Sequence, residues 1–338
     1  MIKLIYTREE IEEEREYATP HIECGVKLHG GFSEDGTYVS PRTRNRWQAI
    51  NNWQQHLKDR GFELVEATTD LLTEPNFPNI AQQVWLLKNG IDKGFWNSLT
   101  ITGLIEARGK ALVGLTAPDF QKIIVEDISE TSLAHMNKGL LRAHGWDEGG
   151  NDTDTGGHDV MWFVVRDLVF GKDKYPVPEP PASIGREKET REMEQIPAEY
   201  EGLISFLMNL LMIEVRAERA FDFYEKVLGN EEVFTDRRKE ATHAAELVNR
   251  IRQDESVHVA WLLSAISEFR SFTIKTVGGE QINGAEILDP VWQQMVHWHA
   301  VEMHEVNRPI NAELIKKTIL ANKNGDAIFK QFEALEAA

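Results

Sequence analysis

The chain contains almost no cysteine and few basic residues. Cys24 is alone among 338 residues, so neither an internal disulfide nor a cysteine-based zinc site can form. There are 37 basic residues against 55 acidic ones, and the formal charge of -18 argues against nucleic acid and anionic membranes as partners. No apolar run is long enough to span a membrane, and no signal-peptide pattern is present. We therefore expect a cytoplasmic protein.

Apolar residues recur at helical spacing along most of the chain, which predicts a mainly α protein. Two long helices are separated by a turn near residues 229–235, and long helices with short turns are typical of antiparallel bundles. Strand signals are few, and the best lies at 272–277. The predicted helices lie at 42–60 and at about 80–93, 96–114, 118–144, 158–171, 198–228, 235–270, 285–306 and 310–336.

Two domains follow from this pattern. Residues 1–79 predict an N-terminal extension with one helix, and residues 80–338 predict a helical bundle. A proline-rich segment followed by charged residues, at about 175–195, cannot be helical and predicts an extended crossover. We interpret the bundle as two helix pairs joined by this crossover.

The most informative segment lies in the helix predicted at 235–270. Glu255 and His258 are three residues apart, so they lie on one helix face, one turn apart. The rest of that face is apolar, and a carboxylate in an apolar stripe is costly unless it is neutralised. A metal ion bound by both side chains would neutralise it. The preceding antiparallel helix brings Glu214 to a similar depth, and Glu218, one turn later, is the alternative.

The first half of the bundle repeats this arrangement less regularly. Glu106 lies on a helix face with small residues, which suggests close packing there. A turn at 117–118 lies midway between Glu106 and Glu130, and His135 follows Glu130 by five residues. A π-bulge would bring Glu130 and His135 onto one face, and such bulges are frequent at functional sites. Asp127 with His135 is the competing pair.

These acidic residues and histidines together form a candidate metal site. Carboxylates are hard, bridging ligands, and imidazoles raise the affinity while leaving positions open for dioxygen. One glutamate from each of two helices, with a Glu–His pair from each of the other two, is the di-iron carboxylate arrangement. Asp254 would accept the N–H of a ligand histidine. The candidate ligands are Glu106, Glu130, His135, Glu214, Glu218, Glu255 and His258.

Residues 254–258, with the pattern Asp-Glu-x-x-His, resemble the second metal helix of the ribonucleotide reductase small subunit and its ferritin-like relatives, including acyl carrier protein desaturases. The helical architecture over about 80–270 is similar as well. The resemblance implies a ferritin-like bundle in which Glu255 and His258 bind one iron. It also implies that the first helix supplies the carboxylate of Glu106 and that the partner of the Glu255 helix supplies Glu214 or Glu218. Glu130 and His135 would take the place of the family's first Glu-x-x-His motif, with a spacing of five residues instead of three.

The reductase small subunit keeps a radical tyrosine one turn after its first histidine, where this chain has Gly139. The resemblance therefore favours an oxidoreductase that uses two iron ions, with manganese or a mixed pair as alternatives, to activate dioxygen. A small organic substrate would be hydroxylated, N-oxygenated or desaturated, with electrons from an external reductase or ferredoxin. A ferritin-type ferroxidase and a non-catalytic helical scaffold are the alternative functions, and a homodimer is left open.

Two further segments carry histidines. In the first, the sequence favours ordinary packing and exposed polar side chains over extra ligands or a cavity lining. In the second, residues 144–159 are glycine-rich and polar, and they predict a loop or a lid with no assigned chemistry. The residues of the first segment are His297, His299, Glu302 and His304.

Overall fold

The computed structural model describes residues 2–151, 154–187 and 190–336. These residues form a mainly α fold, as the sequence predicts, and none of their helices is both long and apolar enough to cross a membrane. The helices are α1 Arg8–Ile11, α2 Thr43–Asp59, α3 Ile80–Lys88, α4 Lys93–Gly109, α5 Leu140–Gly149, α6 His158–Phe170, α7 Ala198–Gly229, α8 Arg238–Ser271, α9 Gly284–His297, α10 Met303–Leu320 and α11 Gly325–Ala334. The strands are β1 Thr19–Glu23, β2 Val26–Phe32, β3 Tyr38–Val39, β4 Thr273–Lys275 and β5 Gln281–Asn283.

The helix predicted at 118–144 is wrong. Two short 3₁₀ helices, Phe120–Lys122 and Leu133–Lys138, lie there, and only the last part belongs to α5. Polar side chains between them bond to their own backbone, as where the Asp127 carboxylate accepts the Ser129 N–H at 2.8 Å. Such local bonds compete with helical ones, so this segment turns instead of continuing.

The N-terminal residues contain more than the one predicted helix. Strands β1, β2 and β3 form an antiparallel sheet in that order. The helix predicted at 42–60 is confirmed as α2, and its Trp53 packs in the same apolar core as α8. Strand β2 carries a buried histidine, His29, whose backbone N–H donates to Gly156 immediately before α6. The N-terminal sheet is thereby attached to the central helices.

The central helices enclose a polar layer between two apolar clusters. Helix α7 packs along α8, α4 along α6, and α6 along α8, while α5 lies against α4. On α8, Leu247 and Ile251 belong to one apolar cluster, and Trp261 and Leu262 belong to the other. The three residues between them that face inward, Asp254, Glu255 and His258, are buried and polar. The layer therefore lies across the middle of the helices, closed off at both ends.

The connection between α6 and α7 is extended in its described part, as the proline-rich composition predicts. No helix or strand occurs in residues 171–187 and 190–197. Further along, the single helix predicted at 285–306 is divided: α9 is followed by a π-helical turn, Trp298–Glu302, before α10 begins. The π-bulge that the sequence suggested between Glu130 and His135 is absent, because a turn and a 3₁₀ helix lie there instead.

Helix α5 approaches the end of α4 closely because of its glycines. A Cβ added at Gly145 would lie 2.8 Å from the Val113 backbone nitrogen, and one at Gly109 would lie 2.5 Å from Glu148 Cγ. Real side chains do not tolerate such distances, so these positions require glycine. The close packing that the sequence suggested around Glu106 is present here.

We expect Gly145→Ala to lower the free energy of unfolding by about 1–3 kcal/mol, because the backbone at Val113 cannot move aside. The matched control is Gly202→Ala on α7, where an added Cβ would meet nothing within 4 Å. This control should raise the free energy of unfolding by about 0.5–1 kcal/mol. Denaturant titration of both variants measures the difference, and equal effects would contradict the close-packing argument.

Candidate metal centre

Four carboxylates from four different helices meet inside the polar layer. Glu106 comes from α4, Glu148 from α5, Glu214 from α7 and Glu255 from α8. Their exposed fractions are 8%, 5%, 5% and 1%, so none is a surface group. Isolated carboxylates are costly at such depth, and native proteins pair them with cations or with hydrogen-bond donors.

Three histidines with no exposed surface complete this cluster. His144 lies one turn before Glu148 on α5, and His258 lies one turn after Glu255 on α8. His158 is the first residue of α6, directly after the Gly156–Gly157 turn. The two same-helix pairs have spacings of four and three residues, which bring side chains onto one face.

Glu148 occupies the centre of the cluster. Its Oε1 atom lies 3.1 Å from His258 Nδ1, 3.4 Å from His144 Nε2 and 3.6 Å from His158 Nδ1. Because one carboxylate oxygen faces three imidazoles, Glu148 belongs to both four-residue groups with the spacing of metal ligands. These groups are His144, Glu148, Glu214, His258 and Glu148, His158, Glu255, His258.

The remaining carboxylates surround this centre. Glu255 Oε1 lies 2.9 Å from His158 Nδ1, and Glu255 Oε2 lies 2.6 Å from His258 Nδ1. Glu214 Oε1 lies 3.1 Å from His144 Nε2, and Glu106 Oε2 lies 3.8 Å from His158 Nδ1.

Several of these atoms are buried without any hydrogen bond to the described residues. They are His144 Nε2, Glu148 Oε1, His158 Nδ1 and Glu255 Oε1. Native proteins leave few buried polar atoms unsatisfied, and an ion is one reason for such atoms to occur. Of these atoms, Glu148 Oε1, His158 Nδ1 and Glu255 Oε1 belong to one group of potential ligands, which fits a bound cation.

Two outer carboxylates fix the ring orientation of two histidines. Asp147 Oδ2 lies 3.0 Å from His258 Nε2, and Asp254 Oδ2 lies 3.4 Å from His158 Nε2. With a cation at the Nδ1 atoms, each Nε2 would carry the proton and donate it to the carboxylate behind the ring. Carboxylates behind histidines orient metal ligands in this way.

His144 has the opposite orientation. Trp261 Nε1 donates to His144 Nδ1 at 3.1 Å, so the neutral ring carries its proton on Nε2, the atom that faces Glu214. Its ring stacks on that of His258 with 3.7 Å between the centroids. His144 is therefore suited to positioning Glu214 and His258. His158 and His258 are the two imidazoles whose Nδ1 atoms face the carboxylates of the cluster.

Burial and mutual repulsion perturb the carboxylates strongly. Burial, together with the charges of Glu106 and Glu255, raises the pKa of Glu148 well above its ordinary value. Burial and a charged neighbour, Glu255, raise the pKa of Glu214 to about 7, and burial raises the pKa of Glu255 to about 7. His158 is desolvated, but the facing carboxylates Glu255 and Asp254 raise its pKa well above the ordinary value. The cluster thus favours positive charge at its centre.

Asp147 is held by two arginines from the start of α2. Arg42 and Arg46 both donate to its carboxylate, Arg46 at 2.6 Å. The carboxyl group is desolvated, but these two guanidinium groups lower the pKa of Asp147 well below its ordinary value. Its charge is therefore balanced from outside, and it can accept from His258 without a further cation.

No protein-family model, no curated protein and no solved structure matches this chain.

Four of the seven residues predicted from the sequence lie in the cluster: Glu106, Glu214, Glu255 and His258. Of the competing pair Glu214 and Glu218, Glu214 faces inward, whereas Glu218 forms an ion pair with Arg252 at 2.6 Å. Asp254 takes the predicted place behind a histidine, His158.

Glu130 and His135, the predicted first Glu–His pair, do not join the cluster. Glu130 is exposed and lies 3.9 Å from His56. His135 is buried, but its Nε2 accepts the Tyr6 N–H at 3.0 Å and its Nδ1 donates to the Thr131 carbonyl at 2.6 Å. With both ring nitrogens engaged by backbone groups, it has no free donor atom for a metal. The competing Asp127 is likewise exposed and caps a turn.

The cluster instead contains His144, Glu148 and His158. These residues lie in the segment 144–159, for which the sequence predicts a loop. The spacing of four residues between His144 and Glu148 is a helical signal of the same kind as that between Glu255 and His258. Neighbouring glycines lower the helix propensity of this segment, so the sequence did not predict a helix there. His158 could be placed at a helix start, but no local pattern links it to α8.

The histidines near the C-terminus lie outside the cluster. His299 is buried on the π turn, where its Nδ1 accepts from Arg216 at 3.2 Å and its Nε2 faces Asn209 Oδ1 at 3.2 Å. His297 is exposed near Glu302. Ordinary packing and surface roles, which the sequence favoured for this segment, agree with these contacts.

We expect Asp147→Asn to lower the free energy of unfolding by about 3–5 kcal/mol, because it leaves two buried guanidinium groups without their counter-ion. The control, Glu218→Gln, breaks an ion pair at the surface and should cost less than about 1 kcal/mol. Chemical denaturation of metal-free protein measures both changes. An Asp147→Asn variant as stable as the control would contradict the outer-carboxylate assignment.

Proposed function

We propose that this protein binds two iron ions in a ferritin-like helical bundle and uses them, with dioxygen, to oxidise a small organic substrate. One observation carries the proposal: four buried glutamates from four helices converge with two histidines whose Nδ1 atoms face the same point. Four carboxylates and two imidazoles are the donor set of di-iron and di-manganese carboxylate bundles. Manganese or a mixed pair would use the same ligands.

The donor set favours two ions over one. Six donor side chains exceed what one tetrahedral zinc needs, and carboxylate-rich sites favour iron and manganese. Glu148, which belongs to both groups of potential ligands, is the candidate bridge. Glu214 would complete the group on one side, and Glu106 with Glu255 the group on the other.

The surrounding residues would perform three tasks. Asp147 and Asp254 keep His258 and His158 in the binding tautomer. His144 holds Glu214, and the two apolar clusters exclude water from both ends of the layer. When bound, two such ions supply electrons to dioxygen, and the dry layer limits loss of the oxidising equivalents to solvent. An external reductase or ferredoxin would return the electrons.

Elemental analysis of protein expressed with iron, and of metal-free protein after anaerobic Fe(II) addition, tests the proposal first. We expect about two equivalents of metal per chain. Glu255→Ala and His258→Ala should lose most of it, as should Glu148→Ala and His158→Ala. Glu130→Gln and Glu218→Gln should retain it, because neither side chain faces the cluster. Absence of metal under both conditions would overturn the proposal.

Dioxygen consumption by the iron-loaded protein separates the remaining functions. We expect repeated turnover in the presence of a reductant and loss of turnover in Glu148→Ala. If the protein instead oxidises each added Fe(II) once and accumulates ferric iron, a ferroxidase function replaces the oxygenase one. Metal binding without any reaction with dioxygen would exclude both.

A further inference from the structure

The accessible edge of the cluster is the side formed by carboxylates. The side chains of Glu106, Glu148 and Glu214 retain 9%, 7% and 7% exposure, whereas those of His144, His158 and His258 retain none. Glu106 and Glu214 belong to α4 and α7, which do not pack along each other as α7 does along α8. A substrate would therefore approach the cluster along the seam between α4 and α7.

Side chains fill one end of this seam, and the connector covers the other. Near the start of α4, Phe95 packs edge-on against Tyr224 of α7, with ring centroids 5.9 Å apart. Near the end of α4, residues 181–186 of the α6–α7 connector, here named the strap, lie across the seam. Arg108 Nη1 of α4 donates to the Pro181 and Ala182 carbonyls at 2.7 and 3.3 Å. Arg216 Nη1 of α7 donates to the Ile184 carbonyl at 3.1 Å.

The two arginines occupy equivalent positions beside the cluster. Arg108 follows Glu106 by two residues, and Arg216 follows Glu214 by two residues. On each helix the Cα atom of the arginine is therefore about 3 Å further along the axis than that of a candidate ligand, and the two side chains leave the helix on different faces. Ala182 and Ile184 are two residues apart, so the carbonyl groups that hold the two arginines are separated by at most about 7 Å.

Each guanidinium group keeps free donors. Within the described part of the chain, Nε and Nη2 of Arg108 and Arg216 have no hydrogen-bond acceptor, and neither residue has a carboxylate within ion-pair distance. Two other arginines that donate to backbone carbonyls are used more fully. Arg219 engages both Nη atoms, and Arg238 engages all three nitrogens. The strap therefore orients two guanidinium groups at the entrance and leaves one edge of each unoccupied.

We propose that Arg108 and Arg216 form the binding site for the carboxylate of an organic-acid substrate. A carboxylate matches the Nε–Nη2 edge of a guanidinium group with two parallel hydrogen bonds. An anion docked there would lie at the strap end of the seam between α4 and α7, the helices that carry Glu106 and Glu214. This inference rests on the proposed oxidative function and names its substrate class. It also explains how an anionic substrate could approach a protein with a formal charge of -18.

The test uses full-length protein and four carboxylates as probes: acetate, octanoate, benzoate and phenylacetate, each paired with its neutral amide. Ligand-observed NMR and calorimetry measure binding to the metal-free and the metal-loaded chain. The metal-free chain is decisive, because carboxylates also bind metals directly. We expect at least one carboxylate to bind the metal-free chain at least about tenfold more tightly than its amide.

Variants locate the binding site. Arg108→Gln and Arg216→Gln should each weaken carboxylate binding about tenfold or more, and Arg216→Lys should restore only part of the affinity, because lysine lacks the fork. Arg219→Gln, on the same helix with both Nη atoms already engaged, should bind as the unmodified chain does. Arg108 is exposed, so its variant keeps the test valid even if Arg216→Gln does not fold.

Two outcomes would overturn the inference. One is that no carboxylate probe binds the metal-free chain better than its amide, and the other is that the arginine variants bind as tightly as the unmodified chain. Metal analysis of the same samples separates this failure from failure of the proposed function. Two bound metals without carboxylate binding refute only the substrate class, whereas carboxylate binding in a chain that takes up no metal refutes only the di-iron centre.

Discussion

The structure depends on one electrostatic constraint: four glutamates are buried between two apolar clusters, where isolated charges are not tolerated. Protons on the carboxylates balance part of this charge, as the raised pKa values of Glu148, Glu214 and Glu255 indicate. Facing histidines balance another part. Cations at the centre would balance the charge without protonating the ligands. The placement of the helices, the glycines between α4 and α5, and the outer carboxylates all serve to hold this layer.

The half of the site on α7 and α8 could be predicted because its residues lie on one helix and on the helix that directly precedes it in the sequence. Glu255 and His258 belong to one helix, and a spacing of three residues fixes their common face whatever the tertiary structure. To predict Glu214, it was enough to assume that the preceding helix packs antiparallel to α8 after a short turn. Both predictions are reliable for long helices with a strongly periodic apolar pattern. The mainly α fold and most helix positions could be predicted for the same reason.

In the other half only Glu106 could be predicted, because tertiary packing determines the remaining residues. Helix α5 contains two glycines, Gly145 and Gly149, and it forms because they allow it to lie against the 3₁₀ turn that follows α4, not because of its own propensity. Symmetry about a turn favoured Glu130 instead, although that residue is exposed. The N-terminal sheet and α2 contribute His29, Arg42 and Arg46 to the outer part of the layer. No sequence spacing relates these residues to α8, which is some 200 residues away.

The outer carboxylates make the two sides of the cluster electrically unequal. Asp147, behind His258, is balanced by two guanidinium groups. Asp254, behind His158, accepts a hydrogen bond from the Tyr38 hydroxyl at 2.9 Å and lies 3.0 Å from His29, whose own pKa burial lowers. These neighbours of Asp254 are neutral, so its charge acts in full on His158. An imidazole backed by an uncompensated carboxylate is the more basic ligand. The surroundings of His158 and His258 therefore differ in charge, although a carboxylate lies behind each ring.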